Sequence, residues 1–487
     1  MLGFLPRSSP IYPPRPTGGL WKGSIPMMNN PLPIQDFLQP GKRVHLVGIG
    51  GVSMCPLAEV LRGMGLRVQG SDMSDGPSVQ RLKSLGIPVS QGHSAENLGD
   101  CDFVVRTAAV HDSNPEIAGA VARGIPVYER AQAWGAIMQA YRNAVCVSGT
   151  HGKTTTTSMC TYIAMAAHTD PTIMIGGNLP LLGAGYRVGH GDTIILESCE
   201  YCNSFLSFRP TIAVILDIEE DHLDFFKDLA DIEHSFRTFA NLVPENGVII
   251  ANADDRNTMD TLDGVDRPFT TFGLGSYADV YCDNLQWNTG LPTFDLYQGE
   301  EKKCTITLQT PGLHNVKNAL AAAAAALYMG VAPEFIAQGL SAYRGAERRF
   351  EYKGEINGAK VYDDYAHHPG EIHVLLQMAK SLGYKRVICA FQPHTYSRTI
   401  ALFDEFVQEL KAADLVLLAE IYPAREVNTT GISSKDLAAK IPGAEFYPTL
   451  GELETRLRQL AQPGDLILTV GAGELNLVAD ALTQESH

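Results

Sequence analysis

The stretch "VCVSGTHGKTTTT", residues 145–157, decides how this chain is interpreted, because it ends like a phosphate-binding loop. The pattern G-x-x-x-x-G-K-[ST] fits Gly152, Lys153 and Thr154 but requires a glycine where this chain has Val147. An apolar strand precedes the loop, and the helical pattern "KTTTTSMCTYIAMAA" follows it. This setting predicts that loop amides and Lys153 hold phosphate oxygens, while Thr154 binds magnesium.

Two further apolar strands in the same segment end close to acidic residues. The strand "DTIILE" ends at Glu197, and Asp221 and His222 closely follow "TIAVILDI". Each acid alone is typical of a helix cap or a solvated position. Beside a phosphate loop they favour a site for a hard cation, which prefers oxygen ligands.

The segment from residue 43 has the order strand, glycine loop, helix in "RVHLVGIGGVSMCPLAEVLRGMG". Further strands are predicted at "RVQGSD" and "DFVVRTAAV", so strands and helices alternate as in a parallel sheet that binds ligand at its carboxyl edge. Asp72 lies about twenty residues beyond the glycines, where a ribose partner is expected. This segment alone suggests NAD binding, with a glycine turn that binds nothing as the alternative.

A third segment of the same type begins near residue 346. Its strands are predicted at "RVICAFQP", "ADLVLLAEIY" and "DLILTVGAG", separated by helical patterns. Before it, the alanine run "NALAAAAAALYMG", residues 318–330, predicts a structural helix because alanine has the highest intrinsic helix propensity. The sequence therefore predicts three successive α/β segments.

Length and composition agree with a soluble chain of several domains. At 487 residues it exceeds one core, and its 45% hydrophobic and 19% charged residues are ordinary for a globular protein. A net charge of −16 argues against nucleic-acid binding, and no apolar run is long enough to predict a membrane span. Residues 1–40, rich in proline and glycine, are predicted to be a disordered leader without the apolar core of a signal peptide.

The nine cysteines do not indicate a disulfide scaffold in a chain of this size. Cys199 and Cys202 have C-x-x-C spacing, which is typical of half a zinc site or of a redox pair. No second pair follows, so reduced thiols in the cytoplasm are the favoured interpretation.

An ordered set of motifs resembles the Mur ligases of bacterial cell-wall synthesis. "GTHGKTTTT" resembles their shortened phosphate loop, which begins at Gly149 and needs no glycine at position 147. The similar stretches that follow, in the family's order, are "ESCEYCNSF", "EEDHLDFF", "NADD", "PGLHNVKNALAA", "RRFE", "YDDYAHHPGEI" and "FQPHTYSRT". They cover nearly everything from about residue 43 to 475.

The resemblance implies an α/β fold of three domains. The first, residues 41–141, would be a Rossmann-like domain that binds a UDP-sugar. The second, residues 142–345, would be a phosphate-loop ATPase domain with a mainly parallel sheet. The third, residues 346–487, would be a Rossmann-like domain that binds the amino acid.

Within the family, "GIGGVSM", "YDDYAHHP" and "FQPHTYSRT" are most similar to the members that add L-alanine to UDP-N-acetylmuramate. Phe236 stands where other Mur ligases carry a carbamylated lysine, as is usual in the alanine-adding type. The family's E-A-D-E-S-D stretch is here Glu197 to Cys202, with cysteine at both aspartate positions, so the role of Cys199 and Cys202 is open.

The implied reaction is ATP-driven amide formation through an acyl phosphate, with magnesium as the metal. Catalytic roles would belong to Lys153, Glu197, His222 and Arg349, and metal ligation to Thr154, Glu197 and His222. Histidine is an unusual magnesium ligand, and by spacing alone His222 would be a helix-start residue. We expect UDP-N-acetylmuramate and L-alanine as partners, and a monomer or weak homodimer.

The resemblance also implies three sets of binding residues. For ATP these are Gly149, Thr150, His151, Gly152, Lys153, Thr154, Thr155, His314, Asn315, Asn318, Arg349, Asp363 and Asp364. For the UDP-sugar they are Gly48, Gly50, Gly51, Ser53, Ser71, Asp72, His93, Thr107, Ala108 and Ala109. For the amino acid they are Tyr365, His367, His368, His394 and Arg398. Helix capping is the alternative for Asn315, and Arg348 competes with its neighbour Arg349.

Three other functions remain open. A recycling ligase that attaches a murein tripeptide to the same sugar nucleotide would share most motifs, although "FQPHTYSRT" favours a single amino acid. A non-catalytic nucleotide sensor would not need Lys153, Glu197, His222 and Arg349 together. A dehydrogenase rests only on the amino-terminal glycines.

Overall fold

The computed structural model describes residues 32–484 except 108, 224, 289 and 425. It contains a five-stranded, a ten-stranded and a six-stranded sheet, one in each of the three predicted segments. The α/β architecture with mainly parallel sheets is therefore confirmed, while the exact domain boundaries remain predictions. The predicted alternation of strands and helices produces this result because parallel strands need helical crossovers.

The first sheet is entirely parallel, in the order β3-β2-β1-β4-β5. Its elements are β1 (Arg43–Val47), α1 (Met54–Gly63), β2 (Arg67–Asp72), α2 (Pro77–Ser84), β3 (Val89–Gln91), β4 (Phe103–Arg106), α3 (Pro115–Ala122), β5 (Val127–Glu129) and α4 (Arg130–Met138). Strand order reverses between β1 and β4, which places a ligand crevice at their carboxyl ends. The strand predicted at "DFVVRTAAV" is shorter than expected and ends at Arg106.

The predicted disordered leader of residues 1–40 is too long. Residues 1–31 lie outside the described part of the chain, but Ile34–Phe37 form a 3-10 helix whose two apolar ends are buried. The ring of Phe37 lies 5.4 Å from that of Phe103 and 6.0 Å from that of Tyr128. Apolar burial orders this part of the segment, although its proline content suggested otherwise.

The second sheet has ten strands in the order β15-β14-β13-β12-β11-β10-β6-β9-β7-β8. Its elements are β6 (Asn143–Ser148), α5 (Lys153–Ala166), β7 (Thr172–Leu179), β8 (Ala184–Arg187), β9 (Thr193–Glu197), β10 (Ile212–Ile215), α6 (Leu229–Ala240), β11 (Val248–Asn252), α7 (Arg256–Leu262), β12 (Phe269–Gly273), β13 (Val280–Asn288), β14 (Leu291–Gln298), β15 (Glu301–Thr307), α8 (Leu313–Tyr328) and α9 (Pro333–Ala342). The antiparallel strands β13 to β15 and the β7–β8 pair had no counterpart in the sequence-based expectation. The alanine run is helical in α8, and its alanines are buried, so small side chains let this helix lie close to its neighbours.

The third sheet has the order β16-β17-β21-β18-β19-β20 and is antiparallel only between β16 and β17. Its elements are β16 (Glu351–Ile356), β17 (Ala359–Asp364), α10 (Pro369–Ser381), β18 (Arg386–Phe391), α11 (Tyr396–Ala401), α12 (Phe403–Leu410), β19 (Leu415–Ala419), α13 (Ser434–Ala438), β20 (Glu445–Tyr447), α14 (Leu450–Leu460), β21 (Asp465–Val470) and α15 (Asn476–Thr483). None of the described helices is both long and apolar enough to cross a bilayer.

Polar contacts join the first sheet's helices to the second sheet. The Tyr186 hydroxyl on β8 donates to Glu59 Oε1 on α1 at 2.6 Å. The same carboxylate accepts two hydrogen bonds from Arg81 on α2, whose guanidinium lies over the Tyr186 ring. These contacts fix the first α/β unit against the edge of the central one.

Candidate active site

The phosphate loop is a short turn between β6 and α5. Val147 is fully buried inside β6, paired with Val214 and Glu197 on its two neighbours, so glycine is not needed there. The turn spans only residues 149–152 and has glycines with φ of 139° and 77° at its ends. Those left-handed values explain why Gly149 and Gly152 are glycine. The first N–H groups of α5 have no acceptor within the helix and are available to an anion.

Lys153 lies at the start of α5 and is anchored by its own loop. Its Nζ donates to the carbonyls of Gly149 at 2.5 Å and Thr150 at 2.9 Å, and lies 3.2 Å from Glu200 Oε2. Burial alone would lower the pKa of Lys153, but the carboxylate of Glu200 holds that pKa above its ordinary value. The lysine is therefore charged and positioned where a phosphate would meet the loop.

Thr154 and Glu197, two of the three predicted metal ligands, lie together. The Thr154 hydroxyl donates to Glu197 Oε1 at 3.1 Å, and the Gly176 N–H donates to Oε2 at 2.7 Å. The third, His222, is not within 4 Å of Glu197. Its Nε2 instead lies 3.9 Å from Glu200 Oε1 and 3.7 Å from Asp221 Oδ2.

Glu200 is a site residue that the sequence-based assignment missed. Its carboxylate is 2% exposed and lies between Lys153 and His222. The signal was present, because the second glutamate of "ESCEYC" follows Glu197 by three residues. Together the hydroxyl and carboxylate oxygens of Thr154, Glu197 and Glu200 form a hard donor set, which fits magnesium.

His151, Asp217 and Glu219 form a second cluster at the mouth of the loop, with possible ligand atoms within 4.8 Å of one another. The backbone N–H of His151 donates to Asp217 Oδ1 at 2.8 Å, and the ring Nε2 lies 3.3 Å from Glu219 Oε2. Burial would lower the pKa of His151, but these acids raise it to about 9. A protonated imidazole does not ligate a metal, so we interpret this cluster as an ion pair.

Helix α8 packs closely against the phosphate loop. A Cβ on Gly152 would lie 2.6 Å from Asn318 Oδ1, which shows how closely the loop approaches this helix. Asn318 donates to Asn315, whose own amide donates to the Pro311 carbonyl at 2.7 Å. His314 lies beside them, and burial lowers its pKa to about 4, so its ring is neutral. All three predicted α8 residues line the same cavity as the loop.

A cavity of about 840 Å³ separates the central and third units, and its wall distinguishes the two adjacent arginines. Arg349 lines the cavity, whereas Arg348 pairs with Asp363 at 3.0 Å and donates to the Gly471 carbonyl at 2.6 Å. The aspartates separate in the same way. Asp364 lines the cavity, while fully buried Asp363 accepts hydrogen bonds from Arg348 and Thr469. The assignment of Asp363 to ATP binding stays a prediction, and these internal contacts favour Asp364 instead.

The amino-acid candidates lie on one side of this cavity. His367 and His368 line it, and the His394 ring lies 6.0 Å from that of His367. Tyr365 instead packs its ring against the guanidinium groups of both arginines, outside the cavity wall. In the described part of the chain, no side chain lies within hydrogen-bonding or ion-pair distance of the Arg398 guanidinium.

The UDP-sugar candidates lie at the carboxyl edge of the first sheet, but some are occupied by internal contacts. The Ser71 hydroxyl is fully buried and donates to Glu116 Oε2 at 2.5 Å, with His93 Nδ1 3.0 Å away. Its assignment to ribose or uracil stays a prediction, and this buried contact with Glu116 does not favour it. Asp72 accepts from the Gly50 N–H at 2.8 Å and so shapes the glycine loop.

The remaining candidates of this set lie at the turns after β1 and β4, except one that lies outside the described residues. Ser53 is the residue before α1, and its hydroxyl accepts from Arg130. Gly48 has a φ of 78° at the turn after β1. Thr107 and Ala109 follow β4, while Ala108 lies outside the described residues.

These features define an α/β enzyme with three sheets that presents a phosphate loop and acidic groups to a cleft between two units. Three family models match in order: "Mur ligase family, catalytic domain" at residues 43–142, "Mur ligase middle domain" at 147–326, and "Mur ligase, glutamate ligase domain" at 348–473. The chain belongs to the Mur ligase family.

Similar proteins agree over most of the chain. A UDP-N-acetylmuramate--L-alanine ligase of Clostridium novyi is 46% identical over 443 residues, which are 90% of this chain and 96% of that protein. The enzyme of the same name from Lachnospira eligens is 46% identical over 458 residues, 92% and 99% of the two chains.

Solved structures of similar ligases match this fold over most of the chain. The UDP-N-acetylmuramate-alanine ligase of Thermotoga maritima matches with a TM-score of 0.73 and 28% identity, covering 90% of this chain and 98% of that one. A murein peptide ligase from Psychrobacter arcticus matches with a TM-score of 0.65 and 26% identity, covering 91% and 98%.

Proposed function

We propose that this protein joins L-alanine to the lactyl carboxylate of UDP-N-acetylmuramate, with cleavage of ATP to ADP and phosphate, in peptidoglycan precursor synthesis. The observation that carries this proposal is the Thr154–Glu197 contact beside the Lys153–Glu200 pair at the phosphate loop, in a chain whose full-length relatives carry the alanine ligase name. The reaction belongs in the cytoplasm, where ATP and the sugar nucleotide are available.

The first step is transfer of the γ-phosphoryl group to the substrate carboxylate, which gives an acyl phosphate. Two anions must meet, so positive charge at the loop is the main requirement. Lys153 and the free N–H groups of α5 supply it, and Arg349 brings a further cation from the third unit. When bound, magnesium would be held by Thr154, Glu197 and Glu200 near His222, and would neutralise phosphate charge.

In the second step the amine of L-alanine attacks the acyl carbon and phosphate departs. His367 and His368 line the cavity where this attack would occur. Since no described side chain pairs with the Arg398 guanidinium, this group could bind the amino acid's carboxylate. Acyl phosphates hydrolyse in water. Arg349 and Glu371 of the third unit line the cavity that faces the phosphate loop, and Glu371 lies 4.0 Å from His151 of the central unit. Closure of the cleft would therefore bring these groups to the loop and exclude water from the site.

Ligation of murein tripeptide to the same sugar nucleotide is the second candidate. It is supported by the likeness to murein peptide ligases, whose fold covers 91% of this chain in the Psychrobacter arcticus case. The higher identity to the alanine enzymes favours a single amino acid. A small acceptor pocket discriminates by only about 1–3 kcal/mol per methylene, so glycine and serine are expected to be poor substrates.

Phosphate release separates these functions. The purified full chain is incubated with ATP, magnesium and UDP-N-acetylmuramate, and single amino acids are compared with murein tripeptide. We expect release that depends on L-alanine, with a product heavier than the sugar nucleotide by one alanine residue. Release only with tripeptide would assign the recycling activity. Nucleotide binding without release for any acceptor would indicate a sensor.

A further inference from the structure

Glu371, at the start of α10, uses its two carboxylate oxygens differently. Its Oε2 accepts from the backbone N–H groups of His367 at 2.9 Å and His368 at 3.2 Å, which caps the helix. Its Oε1 lies 3.8 Å from Arg349 Nη1 and 4.0 Å from His151 Nδ1. Capping accounts for one oxygen, while the other brings negative charge to the cavity between the two units.

The contacts of His367 fix its neutral tautomer. Its Nδ1 lies 3.0 Å from the carbonyl oxygen of Tyr365, which can only accept a hydrogen bond, and 3.4 Å from Glu371 Oε2. In the neutral ring the proton therefore belongs on Nδ1, and Nε2 keeps its lone pair. No described residue is recorded as bonded to Nε2, and the side chain lines the cavity.

The surroundings of His367 keep it uncharged before reaction. Burial lowers its pKa, Glu371 raises it, and the cations of Arg398 and Arg349 lower it, with a net value below the ordinary one. The rings of Tyr365 and His394 lie 5.4 Å and 6.0 Å from that of His367, and burial lowers the pKa of His394 to about 4. A half-buried neutral imidazole with an adjacent carboxylate is the arrangement of a general base and its orienting group.

We infer that His367 is the general base that takes a proton from the ammonium group of the incoming amino acid, and that Glu371 is the positioning residue that orients its ring. This inference rests on the proposed function, because it assigns the second step of that reaction. The amino acid enters protonated and cannot attack until one N–H proton has left.

The transfer balances as follows. One of three ammonium protons moves to Nε2 of His367, and the freed lone pair attacks the acyl carbon to form the C–N bond. The C–O bond to phosphate then breaks, and the departing phosphate takes the second proton. The amide keeps the third, and His367 returns its proton to solvent.

The two other histidines of this region are less suited to the role. His368 is the cap of α10, where its ring accepts from the Gly370 N–H at 3.4 Å, and it faces the His151 ring at 6.2 Å. His394 stacks on Tyr422 with ring centres 5.7 Å apart. Only His367 combines an oriented Nδ1–H, an adjacent carboxylate and a position on the cavity wall.

Hydroxylamine distinguishes this role from a structural one. It is an uncharged amine at neutral pH and traps acyl phosphates without needing a base. For His367→Gln we expect alanine ligation to fall on the order of 10²–10⁴-fold, while hydroxamate formation from ATP and UDP-N-acetylmuramate stays within a few-fold of the unmodified protein. The matched control is His373→Gln, because His373 lies on the same helix but is exposed and paired with Glu409.

Glu371→Gln adds a pH readout. Glutamine can still accept the two capping hydrogen bonds, so helix α10 is expected to persist. Loss of the negative charge lowers the pKa of His367, so the acid limb of kcat is expected to move to lower pH while the plateau falls. A residue that only caps the helix would leave the acid limb where it is.

The outcomes distinguish the role of His367 from the ligase activity itself. Unchanged alanine ligation in His367→Gln, or an equal loss of hydroxamate, would overturn the general-base assignment and leave the ligase intact. An unmoved acid limb in Glu371→Gln would overturn its orienting role. Absence of hydroxamate in the unmodified protein would instead contradict the proposed function itself.

Discussion

Lys153 and Glu200 form a buried ion pair at the phosphate loop, which sets how the lysine should be tested. Removing one partner of such a pair leaves an uncompensated charge, at a cost of about 3–5 kcal/mol. Lys153→Ala is therefore expected to lose stability as well as activity. The double variant Lys153→Ala, Glu200→Gln should regain most of the stability that Lys153→Ala loses. Its turnover should remain low, on the order of 10³-fold below that of the unmodified protein.

The measurements for this pair are urea unfolding and phosphate release on both variants. Recovery of turnover in the double variant would contradict the role given to Lys153, because the neutral site has no cation at the loop. Failure to recover stability would show that the pair is not the source of the loss.

Arg348 and Arg349 are adjacent in sequence but serve different contacts, so matched substitutions should separate them. Arg349→Lys is expected to lower kcat on the order of 10²-fold with little change in stability, because lysine lacks the planar donor fork. Arg348→Lys should cost about 1 kcal/mol of stability through weaker contacts with Asp363 and Gly471, with kcat unchanged. Steady-state kinetics and chemical unfolding of both variants check this contrast, and the reverse pattern would refute it.

At the scale of elements, the carboxylate of Glu116 joins the start of α3 to strands β1 and β2. Burial would raise its pKa, but the nearby imidazole of His45, 3.3 Å away, and hydrogen bonds from Ser71 and Asn97 lower it to about 2. The folded value lies below the unfolded one of 4.5, so this stability is complete above pH 4.5 and is lost as the pH falls toward 2.

Glu116→Gln is therefore expected to cost on the order of 2–3 kcal/mol at neutral pH and to flatten the acid limb of stability between about pH 4.5 and 2. Denaturant unfolding across this range measures both effects. Asp100→Asn is the control, because its 88% exposed carboxylate pairs with Arg43 at the surface and is worth less than about 1 kcal/mol. Equal effects of the two substitutions would show that the buried network contributes nothing special.

Local sequence patterns predicted some of the strands and helices and missed others. The strand before the phosphate loop and the helix after it lie as predicted, because the residue types and their periodicity specify them locally. The antiparallel strands β13 to β15 were not predicted. Strands β13 and β15 are largely exposed and carry weak apolar alternation, whereas β14 does alternate between buried and half-buried positions. Residues 34–37 are ordered because Phe37 packs against Phe103 and Tyr128. These two residues are distant in sequence, so no local pattern predicts the contact.

At the scale of the whole molecule, Gly135 on α4 tests how the first unit packs on the central one. A Cβ there would lie 1.9 Å from the Ser207 carbonyl oxygen, so Gly135→Ala must displace the helix or that loop. We expect a loss of about 1–3 kcal/mol or more. Gly63→Ala on α1 meets nothing within 4 Å and should be neutral or slightly stabilising. Calorimetry of both variants measures the difference, and similar transitions would show that the packing adapts.

The three α/β segments, the phosphate loop and most residues around it could be predicted from the amino-acid sequence. Those features depend on periodicity, glycine positions and ordered motifs, which are local properties of the chain. Three-dimensional packing selects which of two adjacent residues faces the cavity: Arg349 rather than Arg348, Asp364 rather than Asp363. It also brought Glu200 to Lys153 and His222, and turned Ser71 inward to Glu116. The reason is physical, because adjacent side chains on a strand or turn point to opposite sides, and only packing decides which side meets the substrate.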